Sequence, residues 1–141
     1  MATFDKRKGA AGFPRACQNQ DFNLNARVAF SECTGLAAAD VISVLDVPVG
    51  CVVYGVYAKV ITACAAAMTA TIGDAGDADG WITSLALNGT AETITAGAGA
   101  YVVAGGKPFT TATPITMTIG GTAGASGVVE IVALARRIFP D

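Results

Sequence analysis

The sequence predicts an all-β fold, an antiparallel jelly-roll-like sandwich of about eight strands carrying an extended N-terminal arm. Three observations lead there. Short apolar runs alternate with polar residues at a period of two, turn signals recur at about ten-residue intervals, and capped helical spacing is absent. The one helix-friendly patch, Thr62–Met68, is too short to hold a helix by itself.

Residues 1–25 have poor hydrophobic periodicity, two glycines and one proline, and read as the arm; residues 26–141 read as the sandwich. Arg27–Phe30 forms the first strand and Val41–Leu45 the second, with a turn at Asp46–Gly50 around Pro48. Cys51–Thr62 is the third and longest. Strict alternation puts Cys51, Val53, Gly55, Tyr57, Lys59 and Ile61 on one side, and Val52, Tyr54, Val56, Ala58 and Val60 on the other. Met68–Ile72 follows, then the loop Gly73–Gly80 and a strand over Trp81–Ala86. Asn88–Gly89 is a turn, Ala91–Thr95 a short strand or edge segment, Tyr101–Ala104 a strand and Gly105–Pro108 a turn. Pro114–Gly120 alternates Ile115, Met117 and Ile119 with threonines. Val128–Ile138 closes the fold, with Val129, Ile131, Ala133 and Ala135 on one face.

Composition narrows the function. Hydrophobic residues are 52% of the chain and charged residues only 14%, against about 25% in ordinary soluble proteins. A chain with so few charges to solvate its surface is expected to cover part of that surface with partners. Five of the nine basic residues, Lys6, Arg7, Lys8, Arg15 and Arg27, fall in the first 27 positions, so a basic arm precedes an acidic body. Phe4, Phe13 and Phe22 accompany them. Aromatic anchors beside basic residues are the chemistry of a docking segment. The acidic body disfavours nucleic acid. No apolar run reaches the roughly 20 residues that span a bilayer, and the basic N-terminus lacks the apolar core of a secretory signal, so synthesis in the cytosol is expected.

Catalytic patterns are missing. The chain has no histidine, which removes Ser-His-Asp chemistry, and neither Lys59 nor Lys107 lies in a Ser/Lys motif. Gly105–Gly106–Lys107 is followed by Pro108–Phe109 instead of Ser/Thr and a helix, so it is not a phosphate loop. Asn88–Gly89–Thr90 matches a glycosylation sequon and reads as a turn. Cys17, Cys33, Cys51 and Cys64 contain no CxxC pair and are expected to be free, mostly buried thiols. Asp74, Asp77 and Asp79 make a candidate cation loop. An EF-hand starting at Asp74 would misplace its glycine, and Leu85 would stand where the bidentate glutamate belongs, so a hydrogen-bonded strand connection is preferred. No enzyme, catalytic residue, metal or cofactor is expected.

The segment from Asp40 to Asp79 carries a resemblance. Leu45–Asp46–Val47–Pro48–Val49–Gly50, then Thr71–Ile72–Gly73–Asp74 and Asp79–Gly80–Trp81, is similar to a pattern recurring in tailed-bacteriophage structural proteins. The stretch from Gly105 to Ile138 resembles their closing strands, so the likeness covers residues 40–138 and leaves out the arm. It implies a jelly-roll-like domain of a capsid decoration (cement) protein, located on the outside of a virion with the major capsid protein as partner. Phe4, Lys6, Arg7, Lys8, Phe13, Arg15 and Phe22 are then the expected capsid-docking residues. Low charge and small residues add an expected homo-oligomer, a trimer ahead of a dimer. The alternative is a carbohydrate-binding or structural module of a head or tail fibre or baseplate, using Trp81, Tyr54, Tyr57 or Tyr101.

Overall fold

The computed structural model describes residues 21–137, which form a sandwich of two antiparallel sheets. Its strands are β1 (Asp21–Ala29), β2 (Val41–Asp46), β3 (Cys51–Thr62), β4 (Met68–Asp74), β5 (Asp77–Ala86), β6 (Ile94–Ala96), β7 (Lys107–Phe109), β8 (Pro114–Gly121) and β9 (Val128–Arg137). A one-turn helix, α1 (Ala100–Val103), lies between β6 and β7. One sheet runs β1-β9-β3-β6, with β7 also on β3, and the other runs β2-β8-β4-β5.

These pairings are nested: β1 with β9, β2 with β8, β3 with β6 and β7, β4 with β5. The chain is therefore one long hairpin whose tip lies between Asp74 and Asp77, rolled up so that β1 to β4 fall alternately in the two sheets. Two further ladders, β3 with β9 and β4 with β8, close the roll. That is the jelly-roll connection the turn spacing predicts, with nine strands among the described residues.

Alternation explains which residues fill the core. On β9, Val129, Ile131, Ala133 and Ala135 are buried as expected, while Glu130, Val132 and Leu134 face outward. On β8, Ile115, Met117 and Ile119 point in. Phe30, Trp81 and Met68 are the bulkiest core side chains and are wholly buried. Each fully buried apolar residue of this size contributes about 1.5–3 kcal/mol, so core substitutions dominate stability.

The structure corrects the sequence reading in four places. In β3, the register shifts between Val53 and Gly55. This bulge turns the strand over, so Cys51 and Val53 point in but so do Val56, Ala58 and Val60. Tyr57, Lys59 and Ile61 thus lie on the outer side, opposite to Cys51 and Val53 and not together with them as strict alternation predicts. Gly73–Gly80 is not a loop: β4 continues to Asp74 and β5 starts at Asp77, leaving a two-residue turn. Tyr101–Ala104 is not a strand, because Gly99 accepts from the N–H groups of Val102 and Val103 and winds the chain into α1. Finally, β1 starts at Asp21, so residues 21–25 of the predicted arm are paired with β9. Phe22 and Leu24 alternate with exposed Asp21, Asn23 and Asn25, and pack against the core.

Cys33, Cys51 and Cys64 are free thiols, Cys51 and Cys64 buried and Cys33 half-buried; Cys17 lies outside the described residues. Burial pushes both buried thiols above their ordinary range. Gly127, at φ +104°, approaches Cys64 so closely that a Cβ there would stand 2.5 Å from its Sγ. In native protein, a thiol-alkylating reagent will modify Cys33 well before Cys51 or Cys64, as followed by peptide mass; simultaneous modification of all three would contradict this packing. A second expectation concerns the strand start. A chain beginning at Asn25 will be less stable to urea, by about 2–4 kcal/mol, than one beginning at Asp21, because it loses four β9 pairings and two half-buried apolar side chains.

Candidate functional site

The densest polar cluster lies at the tip of the rolled hairpin, where β4 ends, β5 begins, and α1 and β7 pass close by. Asp74 is the one buried charged residue among the described residues. Its Oδ1 accepts from the N–H of Gly76 at 2.9 Å, the N–H of Asp77 at 3.2 Å and the Tyr101 hydroxyl at 2.9 Å. Its Oδ2 accepts from Lys107 Nζ, which also reaches the Tyr101 hydroxyl at 3.2 Å. The local sequence explains the convergence. A carboxylate at the last residue of a strand bonds the amides of the tight turn that follows it, and Gly76 supplies that turn.

Aromatic rings surround the pair. Lys107 Nζ sits 4.5 Å from the Tyr101 ring centre and 5.5 Å from that of Phe109, so the cation gains from both faces. Tyr101 meets Trp81 edge-on, with centroids 5.1 Å apart. A Cβ on Gly80 would lie 2.3 Å from the Tyr101 ring; only glycine lets β5 pass beneath it. The Trp81 indole Nε1 has no hydrogen-bond partner among the described residues.

Electrostatics make this cluster a lock. Burial pushes the Asp74 carboxyl up, and the hydrogen bonds from Lys107, Gly76 and Tyr101, with the Lys107 charge, more than reverse that and leave it below its ordinary value of 3.8. Burial pushes Lys107 down, and Asp74 and Tyr101 raise it above 10.5. Tyr101 is also raised, chiefly by burial. A lysine held protonated and a tyrosine held neutral offer neither nucleophile nor base near neutrality. The cluster fastens the hairpin tip to α1 and β7.

That geometry settles where the predicted cation-loop residues go. Asp74 points inward and is already satisfied by an ammonium group. Asp77 and Asp79 lie on the other side of the turn, two residues apart on β5, where the Asp77 carboxylate accepts from the Asp79 N–H at 3.4 Å. Hydrogen bonding to Asp77 raises Asp79 above its ordinary value. Among the described residues, no group of three His, Cys, Asp or Glu comes together in a way that could hold a metal. Of the predicted docking residues, Phe4, Lys6, Arg7, Lys8, Phe13 and Arg15 lie outside the described residues. Phe22 faces the core from β1.

The outer face of the β1-β9-β3-β6 sheet is a second candidate, which sequence reasoning missed because the β3 bulge reassigns its residues. Tyr57 stands opposite Val132, Gly55 opposite Leu134, and Lys59 opposite both Glu130 and Ile94. Tyr54, Tyr57 and Ile94 are 37%, 39% and 64% exposed, which makes them large apolar groups presented to solvent. Of the other predicted sugar-binding aromatics, Trp81 is wholly buried and Tyr101 belongs to the lock.

With this geometry in view, the chain falls in a definite structural class, the double-sheet jelly roll. Two solved structures share the fold. A chain of the cyanophage Pam1 capsid asymmetric unit superposes with a TM-score of 0.63 at 22% identity, covering 97% of this chain and 99% of that one. A chain of the acid-stable capsid of Helicobacter pylori bacteriophage KHP30 superposes with a TM-score of 0.60 at 11% identity, covering 82% of this chain and 86% of that one. No family model matches the chain, and no curated protein does.

The lock has a pH signature. A carboxyl lowered by folding stabilises above its unfolded value of 3.8 and loses that contribution as pH falls through its folded value. A lysine raised by folding stabilises fully below its unfolded value of 10.5 and loses that contribution as pH climbs through its folded value. Lys107→Met, which strands a buried carboxylate, is expected to cost about 3–5 kcal/mol at neutral pH. Asp74→Asn should flatten the acid limb of the stability curve below pH 3.8. Urea titrations from pH 3 to 11 check both, and an unchanged acid limb in Asp74→Asn would remove the lock.

Proposed function

We propose that this chain is a bacteriophage virion structural protein, a decoration or cement protein that docks on the outer head surface and stabilises the major-capsid lattice. The carrying observation is the end-to-end match to a component of the Pam1 capsid asymmetric unit, 97% of one chain against 99% of the other. That component is thus nearly the same length as the sequence matched to it. The low charge and the exposed tyrosine face agree with a role in assembly.

The mechanism is linkage. A ligand that binds the assembled lattice and not its dissociated subunits shifts the equilibrium toward the lattice. In this reading the chain is made in the host cytoplasm, and its basic N-terminal segment reaches the capsid. Phe4 and Phe13 are the apolar anchors, and Lys6, Arg7, Lys8 and Arg15 meet acidic capsid surface. Phe22, seated on β1, marks where the docking segment ends and the sandwich begins. The chain works as a homo-oligomer, a trimer matching threefold positions in preference to a dimer, and needs no cofactor, metal, membrane or nucleic acid.

A second reading is a carbohydrate-binding module of a fibre or baseplate, favoured by one observation: Tyr54 and Tyr57 are aromatic groups exposed on a sheet face. A glycan array separates it from cement. For the leading reading, mix the chain with expanded capsids that lack it, then sediment. The full chain is expected to pellet with the capsids, and the chain beginning at Asp21 to stay in the supernatant with its urea midpoint little changed. Equal pelleting of both would take the docking role away from residues 1–20.

A further inference from the structure

We infer that copies of this chain meet one another through the outer face of the β1-β9-β3-β6 sheet. This rests on the reading above that the chain assembles with itself, and it names the surface. The face divides into three parts. Along β1 it is polar, with Asp21, Asn23, Asn25 and Arg27 exposed. Across β9, β3 and β6 it turns apolar, with Leu134, Val132, Tyr54, Tyr57 and Ile94. At both ends charges reappear.

The other sandwich face shows what an ordinary exposed sheet of this chain looks like. There β8 and β4 place Thr116, Thr118 and Thr71 side by side, with Ser43 and the exposed Val41 on β2, so the apolar content is one small aliphatic side chain with no aromatic beside it. Short hydroxyl side chains are solvated without difficulty and give little to grip. Tyrosine and large aliphatic groups behave in the opposite way. They cost free energy when exposed as a contiguous patch, and tyrosine is among the residues that carry most of the energy of real interfaces.

The charges decide the occupant. Arg27 pairs with Glu130 at 3.7 Å, Lys59 with Glu92 at 2.5 Å and Arg136 with Asp21 at 2.6 Å. Among the described residues, each of these rim charges has an opposite partner within the same chain. A partner of strong net sign therefore finds no unpaired charge among them, whereas an identical face meets no repulsion and brings its own tyrosines. Area sets the strength. Strand rise and spacing make the apolar region about 25 Å by 15 Å, close to 400 Å² per copy. Two copies together reach about 800 Å², less than a stable interface buries and in the range of weak, transient contacts. Association should accordingly be reversible on dilution, and a lattice that holds copies side by side would complete it.

Light scattering of the full chain across micromolar to millimolar concentration tests this. The expected mass rises with concentration from one chain, 14.1 kDa, toward a small closed multiple. Ile94→Asp lies on a three-residue edge strand, so it should fold normally, as its thermal melt will show, and remain at one chain mass throughout. Tyr57→Asp should do the same, and Thr118→Asp on the opposite face should associate like the parent. A parent that stays monomeric at every concentration, or an Ile94→Asp variant that associates unchanged, overturns the inference. Capsid sedimentation is read separately. Association through this face without capsid binding keeps the interface and removes the cement reading, while capsid binding with unchanged Ile94→Asp association does the reverse.

Discussion

Everything in this molecule hangs on β9. It is the last described strand, yet it lies inside its sheet with β1 on one side and β3 on the other. Its ladder with β1 joins residues 115 apart, Asp21 and Arg136. Until β9 is in place, β1 and β3 have no common neighbour and the core residues they contribute have no floor. Only the turn between β4 and β5 can form early from local contacts. Pairings at such separation make folding slow, because loop closure is charged before the distant contacts reward it.

The tip of the roll solves a different problem. A two-residue turn is a weak terminus for a ribbon this long, and β7, which passes near it, is only three residues. Asp74 and Lys107 supply the missing constraint. Because Asp74 is buried and fully hydrogen-bonded, its alternatives are unfavourable, and the pair fixes where β7 and α1 sit more than it adds net stability. The β3 bulge acts at the level of faces. By turning the strand over, it places Val56, Ala58 and Val60 under the sheet and Tyr57 and Lys59 above it. One inserted residue thereby creates the tyrosine face.

Some elements are legible in the residues and others are not. The strands β8 and β9 were clear, since Ile115–Met117–Ile119 and Val129–Ile131–Ala133–Ala135 alternate without interruption. β3 was visible as a strand, but its bulge was not. Gly55 is the only hint, and a glycine in a strand has several meanings. α1 is hidden in the sequence because Tyr101–Val102–Val103 has the composition of a strand. Tertiary contacts override it: Tyr101 is pulled toward Asp74, and Gly97 and Gly99 pack against backbone where any Cβ would collide. The lock itself joins residues 33 apart, and no spacing rule marks such a pair. The one available signal was scarcity, since in a chain with so few charges a lone lysine after two glycines has to be accounted for.

The position of β1 also has a mechanical meaning. The described chain begins at Asp21 in a strand that is paired with β9 over nine residue positions. Tension applied along that strand loads the whole ladder at once in shear, and the bonds must fail together. Tension applied across it would peel the same bonds one after another. An attachment made through the N-terminal segment, pulled parallel to β1, would therefore hold far more force than the small size of the sandwich implies, and its strength would depend on direction.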